Sequence, residues 1–577
     1  MKKYVMLLIL LLCICVSGCR ASEGNSTKAP TSAGATLTEN DSDKDTTVSE
    51  PDATTTVKEA ASTSEKMTET AGTSEEMTEA AGTSEETTEA AGTSEEMTEA
   101  ESTSEETTEA VRNETVIVIE AEEAELYGGL TVENIDGFSG GKGVGRFSDS
   151  GQYIEFEINI AENGVYNLIF SAKGIGSDKD NDIYVDGNKT GYVKHLNEKL
   201  SDSTVASVTL GKGIHKVALK PSWGWIYLDK LTVKTAQGIS DEIYNVSTEL
   251  INPNASDEAK ALYRFLCDIY GEKILSGQVC DYGVNGPEFK AIQAETGRLP
   301  AVLGLDMMRY SLARVAKGDK GDSVEVAMDF CNNQGGIVTY CWHWNAPNEY
   351  LKSGTDDNGN PRWWGGFYTA NTDFDIEKVM NGSDPNGKAL LDKDIEEIAK
   401  QLNRLDDAGV PVLWRPLHEA SGGWFWWGAK GAEAYKKLWI YLYEQLTDVY
   451  GCDNLIWVYN GQSAEWYPGD DYVDIIGEDI YTDKRNYNPQ TSKFAEAVGY
   501  TKQNKIVALT ENGVLFDVDD AFAANSKWAW FNTWCGDFTV KNSKYNEEYT
   551  DKDMLKKVYG SDKVLTLDEL PDYRNYK

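Results

Sequence analysis

Eight short apolar runs separated by helical periodicity constrain this chain more than any other feature. They are Lys273–Gly277, Ala301–Asp306, Ile337–Trp342, Val412–Leu417, Leu455–Asn460, Val473–Ile476, Ile506–Thr510 and Trp528–Trp534. Before the fourth run, Leu391, Ile395, Ile398, Leu402 and Leu405 recur at spacings of three and four. After it, Ala434, Leu438, Tyr441, Leu442 and Leu446 do the same. That spacing lines one face of a helix. Eight such units predict a closed (β/α)8 TIM barrel, in which active residues gather at the C-terminal ends of the strands.

Two of those ends carry a carboxylate. The fourth run closes on Arg415-Pro416-Leu417-His418-Glu419 and the seventh on Thr510-Glu511-Asn512-Gly513. A salt bridge or a helix cap is the ordinary fate of one Glu at a strand end. Two at facing strand ends, among Trp-rich loops, can flank one bond. Glycoside hydrolysis needs that pair: an acid to protonate the leaving oxygen, and a carboxylate to trap the oxocarbenium-like centre. Two of the four histidines, His343 and His418, also fall at strand ends. Neither has a second ligand at helical or strand spacing, so neither reads as a metal ligand. No CxxC pair and no Cys/His cluster is present, which argues against zinc. Cys267, Cys280, Cys331, Cys341, Cys452 and Cys535 read as buried thiols, with disulfide pairing left open.

The rest of the chain differs in texture. Residues 1–18 read as a secretory signal: Lys2 and Lys3, then an apolar run too short to span a bilayer. Val16-Ser17-Gly18-Cys19 resembles a bacterial lipobox, so Cys19 is expected to carry a lipid. Residues 19–112 hold 23 acidic residues against 6 basic ones and no aromatic residue. They include a ten-residue repeat of the type TSEEMTEAAG. Such a stretch cannot offset its chain entropy by burial and is expected to be a disordered acidic linker. The formal net charge of −41 speaks against nucleic acid or an anionic membrane surface as partner. Residues 113–236 alternate short strands with Gly/Asn/Asp turns, which predicts an all-β jelly-roll sandwich. The barrel follows over 243–577.

The barrel region resembles glycoside hydrolase family 26, mostly endo-β-1,4-mannanases. The resemblance rests on Arg415–Glu419 with Trp424 five residues on, and on Thr510–Gly513 with Phe516. It rests also on Glu478-Asp479-Ile480-Tyr481, Trp342-His343-Trp344-Asn345, Trp363-Trp364 and Leu275-Ser276-Gly277-Gln278. It implies Glu419 as general acid/base and Glu511 as nucleophile, retention of configuration, and no catalytic cofactor. Arg415, His418 and Tyr481 would orient the carboxylates. Trp534 would floor the −1 sugar, and Trp424 and Phe516 would shape the cleavage point. His343, Trp344 and Trp363 would contact sugars further along. The choice within the pairs 363/364 and 530/534 stays open. The implied substrate is mannan, glucomannan or galactomannan. β-1,3-xylan, mixed-linkage β-glucan and a barrel that only binds glycan are the alternatives. The sandwich resembles carbohydrate-binding module family 35. That resemblance implies sugar stacking on Trp223 or Trp225, the other packing inside, and a structural Ca²⁺ held by Glu120, Glu122 and Asp229. The expected protein is a monomer at the bacterial cell surface, lipid-anchored at Cys19. Removing everything up to Gly238 is expected to leave hydrolysis of soluble substrate unchanged.

Overall fold

The computed structural model describes residues 115–236 and 238–577. The signal segment, Cys19 and the acidic repeat lie outside the described residues.

Residues 115–236 form two antiparallel sheets. The first contains β1 (Val116–Glu120), β3 (Thr131–Asn134), β4 (Lys142–Arg146), β6 (Gly164–Gly174), β9 (Ser201–Leu210) and β11 (Ile226–Thr235). The second contains β2 (Glu125–Tyr127), β5 (Tyr153–Ile160), β7 (Lys179–Val185), β8 (Asn188–His195) and β10 (Gly213–Pro221). The alternation seen in the sequence is a burial alternation: Ile154, Phe156, Ile158 and Ile160 of β5 are buried. They meet Leu168 and Phe170 of β6 across the sandwich core. Side chains of period two on each inner face are what allow two sheets to share one core.

Eight parallel strands then close into a barrel: β12 (Gly277–Val279), β13 (Val302–Asp306), β14 (Ile337–Cys341), β15 (Val412–Arg415), β16 (Leu455–Tyr459), β17 (Ile475–Ile480), β18 (Ile506–Asn512) and β19 (Phe531–Thr533). They are nearly continuous buried runs, because both faces of a parallel sheet are covered. Helix α1 (Asp257–Ile269) starts on Ser256, whose hydroxyl accepts from the Ala259 N–H. Helix α2 (Pro385–Asp407) starts on Asp384 with proline in its first turn, and buries Leu391, Ile395, Ile398, Leu402 and Leu405. Helix α3 (Ala432–Glu444) buries Ala434, Leu438 and Leu442 in the same way.

The first strand is displaced from its expected span. Ile274–Leu275 pairs with Val564–Leu565 outside the barrel, and the barrel strand begins only at Gly277. Closure explains the switch. A Cβ on Gly277 would lie 2.3 Å from the Phe531 carbonyl oxygen, so only glycine lets the first and last strands meet there. The sixth and seventh strands run further than the apolar pattern suggests, to Ile480 and Asn512. The polar residues among these extensions include Asp479 and Glu511, which build the site.

Candidate active site

Glu419 leaves the barrel in a left-handed conformation (φ 52°), two residues after Leu417 in another (φ 53°). Each such non-glycine residue costs about 1 kcal/mol or more and persists only where its surroundings fix it. Here the Glu419 N–H donates to the Asn460 carbonyl at 2.7 Å. Trp424 Nε1 donates to Glu419 Oε2 at 3.0 Å. Glu511 sits inside β18, where Arg415 Nη2 donates to Oε1 and the Tyr481 hydroxyl donates to Oε2 at 2.7 Å. The other arm of the guanidinium, Nη1, reaches Asp479 Oδ2 at 2.7 Å and Asn460 Oδ1 at 3.1 Å.

A register shift brings Asp479 into this group. Along the β17–β18 ladder, Glu478 pairs with Leu509, but Asp479 pairs with Glu511. The extra residue, Thr510, donates its hydroxyl to Asp479 Oδ1 at 2.7 Å. Bulges of this kind re-aim side chains beside active sites. Two adjacent carboxylates therefore part company: Glu478 accepts from the Tyr500 hydroxyl at 2.7 Å, while Asp479 turns into the barrel.

One carboxylate oxygen from each of Glu419, Asp479 and Glu511 lies within 4.8 Å of the others. Burial drives the Glu419 carboxyl well above the usual range, and the charges of Asp479 and Glu511 add to the effect. Burial also lifts Asp479, against the pull of Arg415. For the Arg415 guanidinium burial works the other way, but Asp479 and Glu511 outweigh it and hold the cation. The cluster has the charge pattern of an acid–base pair: one carboxyl kept protonated beside a carboxylate paired to arginine.

The histidines form a second chain. His343 Nδ1 meets Asp306 Oδ2 at 2.7 Å, and His343 Nε2 lies 3.3 Å from His418 Nε2. Burial opposes ionisation of Asp306, but His343 and two backbone N–H groups bring its carboxyl below the usual range. Burial, then the neighbouring His343 and Arg415, hold His418 well below the usual imidazole range, so it is neutral. The two imidazoles thus meet through their Nε2 atoms, with His343 Nδ1 turned to the carboxylate. Asp306 and His343 also share a three-ligand grouping with Cys341. His343 Nδ1 is already spent on Asp306, as Asp479 and Glu511 are spent on Arg415.

The structure brings together Glu419, Glu511, Arg415, Tyr481 and Trp424, with His343 and His418 alongside. Trp534 closes toward them, its ring 6.0 Å from that of His343, whereas Trp530 is fully buried in the core. Trp344 is not available to a sugar. It is fully buried, stacked on Trp342 at 3.9 Å, and donates Nε1 to Asp394. Its neighbour His343 takes the site side, because successive residues at a strand end face opposite ways. Phe516 is likewise 2% exposed and packs against Phe531 in the core. Trp363 and Trp364 are both half-buried and mutually perpendicular at 6.1 Å. Sequence reasoning missed Asp306, Asn460 and Asp479. Each is a polar residue at or just past the end of an apolar strand, as Glu419 is, and that shared signal could have found them.

On the sandwich, Trp223 and Trp225 are both exposed, at 66% and 43%, so neither packs inside. The turn between them explains it. Gly224 and Trp225 both have positive φ, and the Gly224 N–H is tied to Asn181 Oδ1 at 3.1 Å. Lys179 Nζ stands 5.8 Å from the Trp223 ring. At another edge, Ser139 Oγ donates to Glu120 Oε2 at 2.6 Å and lies 2.9 Å from Asp229 Oδ1. Glu122 Oε2 is buried there without a partner. The orphan oxygen of Glu122 suits a hard cation such as Ca²⁺, but among the described residues Glu120, Glu122 and Asp229 do not draw together as a ligand cluster, and Lys230 Nζ at 3.6 Å from Asp229 already offsets part of the negative charge.

Comparison with known proteins agrees with this geometry. The profile of Glycosyl hydrolase family 26 matches residues 251–569, and that of Carbohydrate binding module (family 35) matches residues 117–236. The chain is 38% identical over 461 residues to a mannan endo-1,4-beta-mannosidase of Thermothelomyces thermophilus, covering 79% of this chain and 91% of that protein. It is 33% identical to mannan endo-1,4-beta-mannosidase B of Piromyces sp, covering 79% and 78%. A crystal structure of a Podospora anserina GH26-CBM35 beta-(1,4)-mannanase superposes with a TM-score of 0.55 at 37% identity, over 80% of this chain and 99% of that one.

Proposed function

The chain belongs to glycosyl hydrolase family 26, and from that premise we infer that it is a retaining endo-β-1,4-mannanase whose chemistry is carried by Glu419 and Glu511. One observation supports the pair above all: carboxylate oxygens of the two come within 4.8 Å of each other. Retaining enzymes need carboxyl groups about 5–5.5 Å apart, whereas an inverting enzyme must leave room for a water between them.

In the first step Glu511 attacks the anomeric carbon as the glycosidic bond breaks. Glu419 gives its proton to the departing sugar oxygen. In the second step Glu419, now a carboxylate, takes a proton from water, whose oxygen displaces Glu511 and releases the sugar. Tyr481 and Arg415 both hydrogen-bond Glu511 and hold it aimed. Mannan-type polysaccharide is the substrate, and the exposed Trp223/Trp225 loop is the surface by which the sandwich would hold it. Proton NMR of the first product formed checks the mechanism. Initial release of the β-anomer is expected, and initial α-anomer would overturn the double displacement.

Glu120, Glu122 and Asp229 would hold a structural Ca²⁺ that pins the sandwich edge. The lipobox-like Val16–Cys19 supports export and lipid anchoring at the bacterial surface, with the acidic repeat as spacer and a monomeric enzyme at its end. Release of activity into the medium by Cys19→Ala is the check on the anchor. Among the described residues, no helix is long and apolar enough to cross a membrane.

A further inference from the structure

The segment that carries Tyr481 is the one the sandwich touches. It leaves β17 at Ile480 and stays irregular until helix α4 (Thr491–Val498). Its first residue, Tyr481, donates to Glu511. At its centre Asn486 is only 2% exposed. That side chain works in two directions. Oδ1 accepts from the Asn488 N–H at 3.2 Å, which shapes the segment itself. Nδ2 donates to the Lys189 carbonyl of β8 at 3.0 Å, which is a bond to the sandwich. Six residues further, Ser492 Oγ donates to the Ala206 carbonyl, and Thr491 Oγ1 lies 3.5 Å from Thr209 Oγ1, with Ala206 and Thr209 both on β9. The barrel holds the same segment at Arg485, whose N–H meets the Tyr549 carbonyl, and at Tyr487, whose carbonyl accepts from Asp517. Asn486 lies between those two anchors.

A buried amide that spends its donor on another domain is costly to leave unsatisfied. It is also a poor choice for a mere tether, since a linker alone would keep the sandwich nearby. We propose that Asn486 is a positioning residue through which the sandwich braces the Tyr481–Glu511 hydrogen bond, so that the sandwich tunes turnover itself as well as substrate capture. The inference rests on Glu511 being the nucleophile. It replaces the expectation that the sandwich is dispensable on soluble substrate.

The groups facing Glu511 are Arg415 from β15, Asp479 from β17, Glu419 and Tyr481. Of these only Tyr481 rides on the braced segment. Loosening that segment weakens the hydroxyl's donation to Glu511 and lets the nucleophile drift from its aim at the anomeric carbon. Turnover then falls while substrate affinity holds, in the direction that Tyr481→Phe moves it.

The test uses the full chain and a short soluble β-1,4-manno-oligosaccharide. Asn486→Asp keeps the acceptor for Asn488 but loses the donor to Lys189. Thr209→Arg wedges the contact from the sandwich side and touches no barrel residue by mutation. Each should lower kcat about tenfold at unchanged KM, as small misplacements of catalytic groups do. Tyr481→Phe is the reference. If it lowers kcat at unchanged KM and the two interface variants, folded by circular dichroism, do not, the brace is overturned and the site reading survives. If Tyr481→Phe leaves kcat in place, the nucleophile reading and the brace fall together.

Discussion

Ionising Glu419 would set three carboxylates around the single guanidinium of Arg415, in a pocket where the Arg415, Asp479 and Glu511 side chains are at most 3% exposed. Low dielectric makes that arrangement expensive, so the proton stays on Glu419 at the pH where Glu511 is needed bare. Asp479 is therefore more than a second anchor for Arg415. Its charge is the largest contribution after burial to holding Glu419 protonated. Asp479→Asn removes that charge. The Glu419 carboxyl then ionises at lower pH, and the basic limb of kcat, where the general acid is lost, should move down in pH. A profile whose basic limb stays in place would deny Asp479 this role. The residue escaped sequence reading because Glu478 and Asp479 are adjacent and chemically alike. Only the register shift against β18 decides which one faces inward. Trp344 failed in the opposite sense: the family resemblance implied a sugar contact, and stacking on Trp342 makes it core.

Elements repeat the same division between what pattern encodes and what pairing decides. The eight apolar runs were legible because burial on both faces leaves an uninterrupted hydrophobic signature. The faces of α2 and α3 were legible because a period near 3.6 lines up one side. The start of β12 was not, since Ile274–Leu275 is as apolar as a barrel strand and its diversion to Val564–Leu565 depends on residues nearly three hundred positions away. The sandwich edge proposed for calcium lies between these cases. Glu120 ends β1, Glu122 lies in the short helical turn Ala121–Glu123, and Asp229 belongs to β11, so a cation there would join three elements at one point. A ligand that binds only the folded state stabilises it, by about 2.7 kcal/mol at a hundred times its dissociation constant. Chelation with EDTA should lower the sandwich's unfolding temperature in calorimetry of the full chain, and added Ca²⁺ should restore it. In Glu122→Ala the EDTA effect should vanish. A transition indifferent to EDTA in the unaltered protein would remove calcium from this edge.

Across the whole molecule, the sandwich has two working surfaces and they do not overlap. Strands β8 and β9 face the barrel, through Lys189, Ala206 and Thr209. The Trp223–Trp225 turn, between β10 and β11, faces solvent. Capture and bracing are thus separable by mutation, which a simple tethered module would not require. Trp223→Ala removes the most exposed ring from the turn while leaving the β8–β9 contacts as they are. An aromatic contact is worth about 1 kcal/mol or more, so retention on insoluble mannan should weaken by about fivefold. Turnover of a short soluble manno-oligosaccharide should not change, and neither should its pH profile. Thr209→Arg should do the converse, slowing soluble turnover while the protein still sediments with insoluble mannan. Measuring both variants on both substrates distinguishes the two surfaces. If Trp223→Ala lowered soluble turnover as much as retention, the turn would be acting on the catalytic site, and the assignment of separate roles to the two faces would fail.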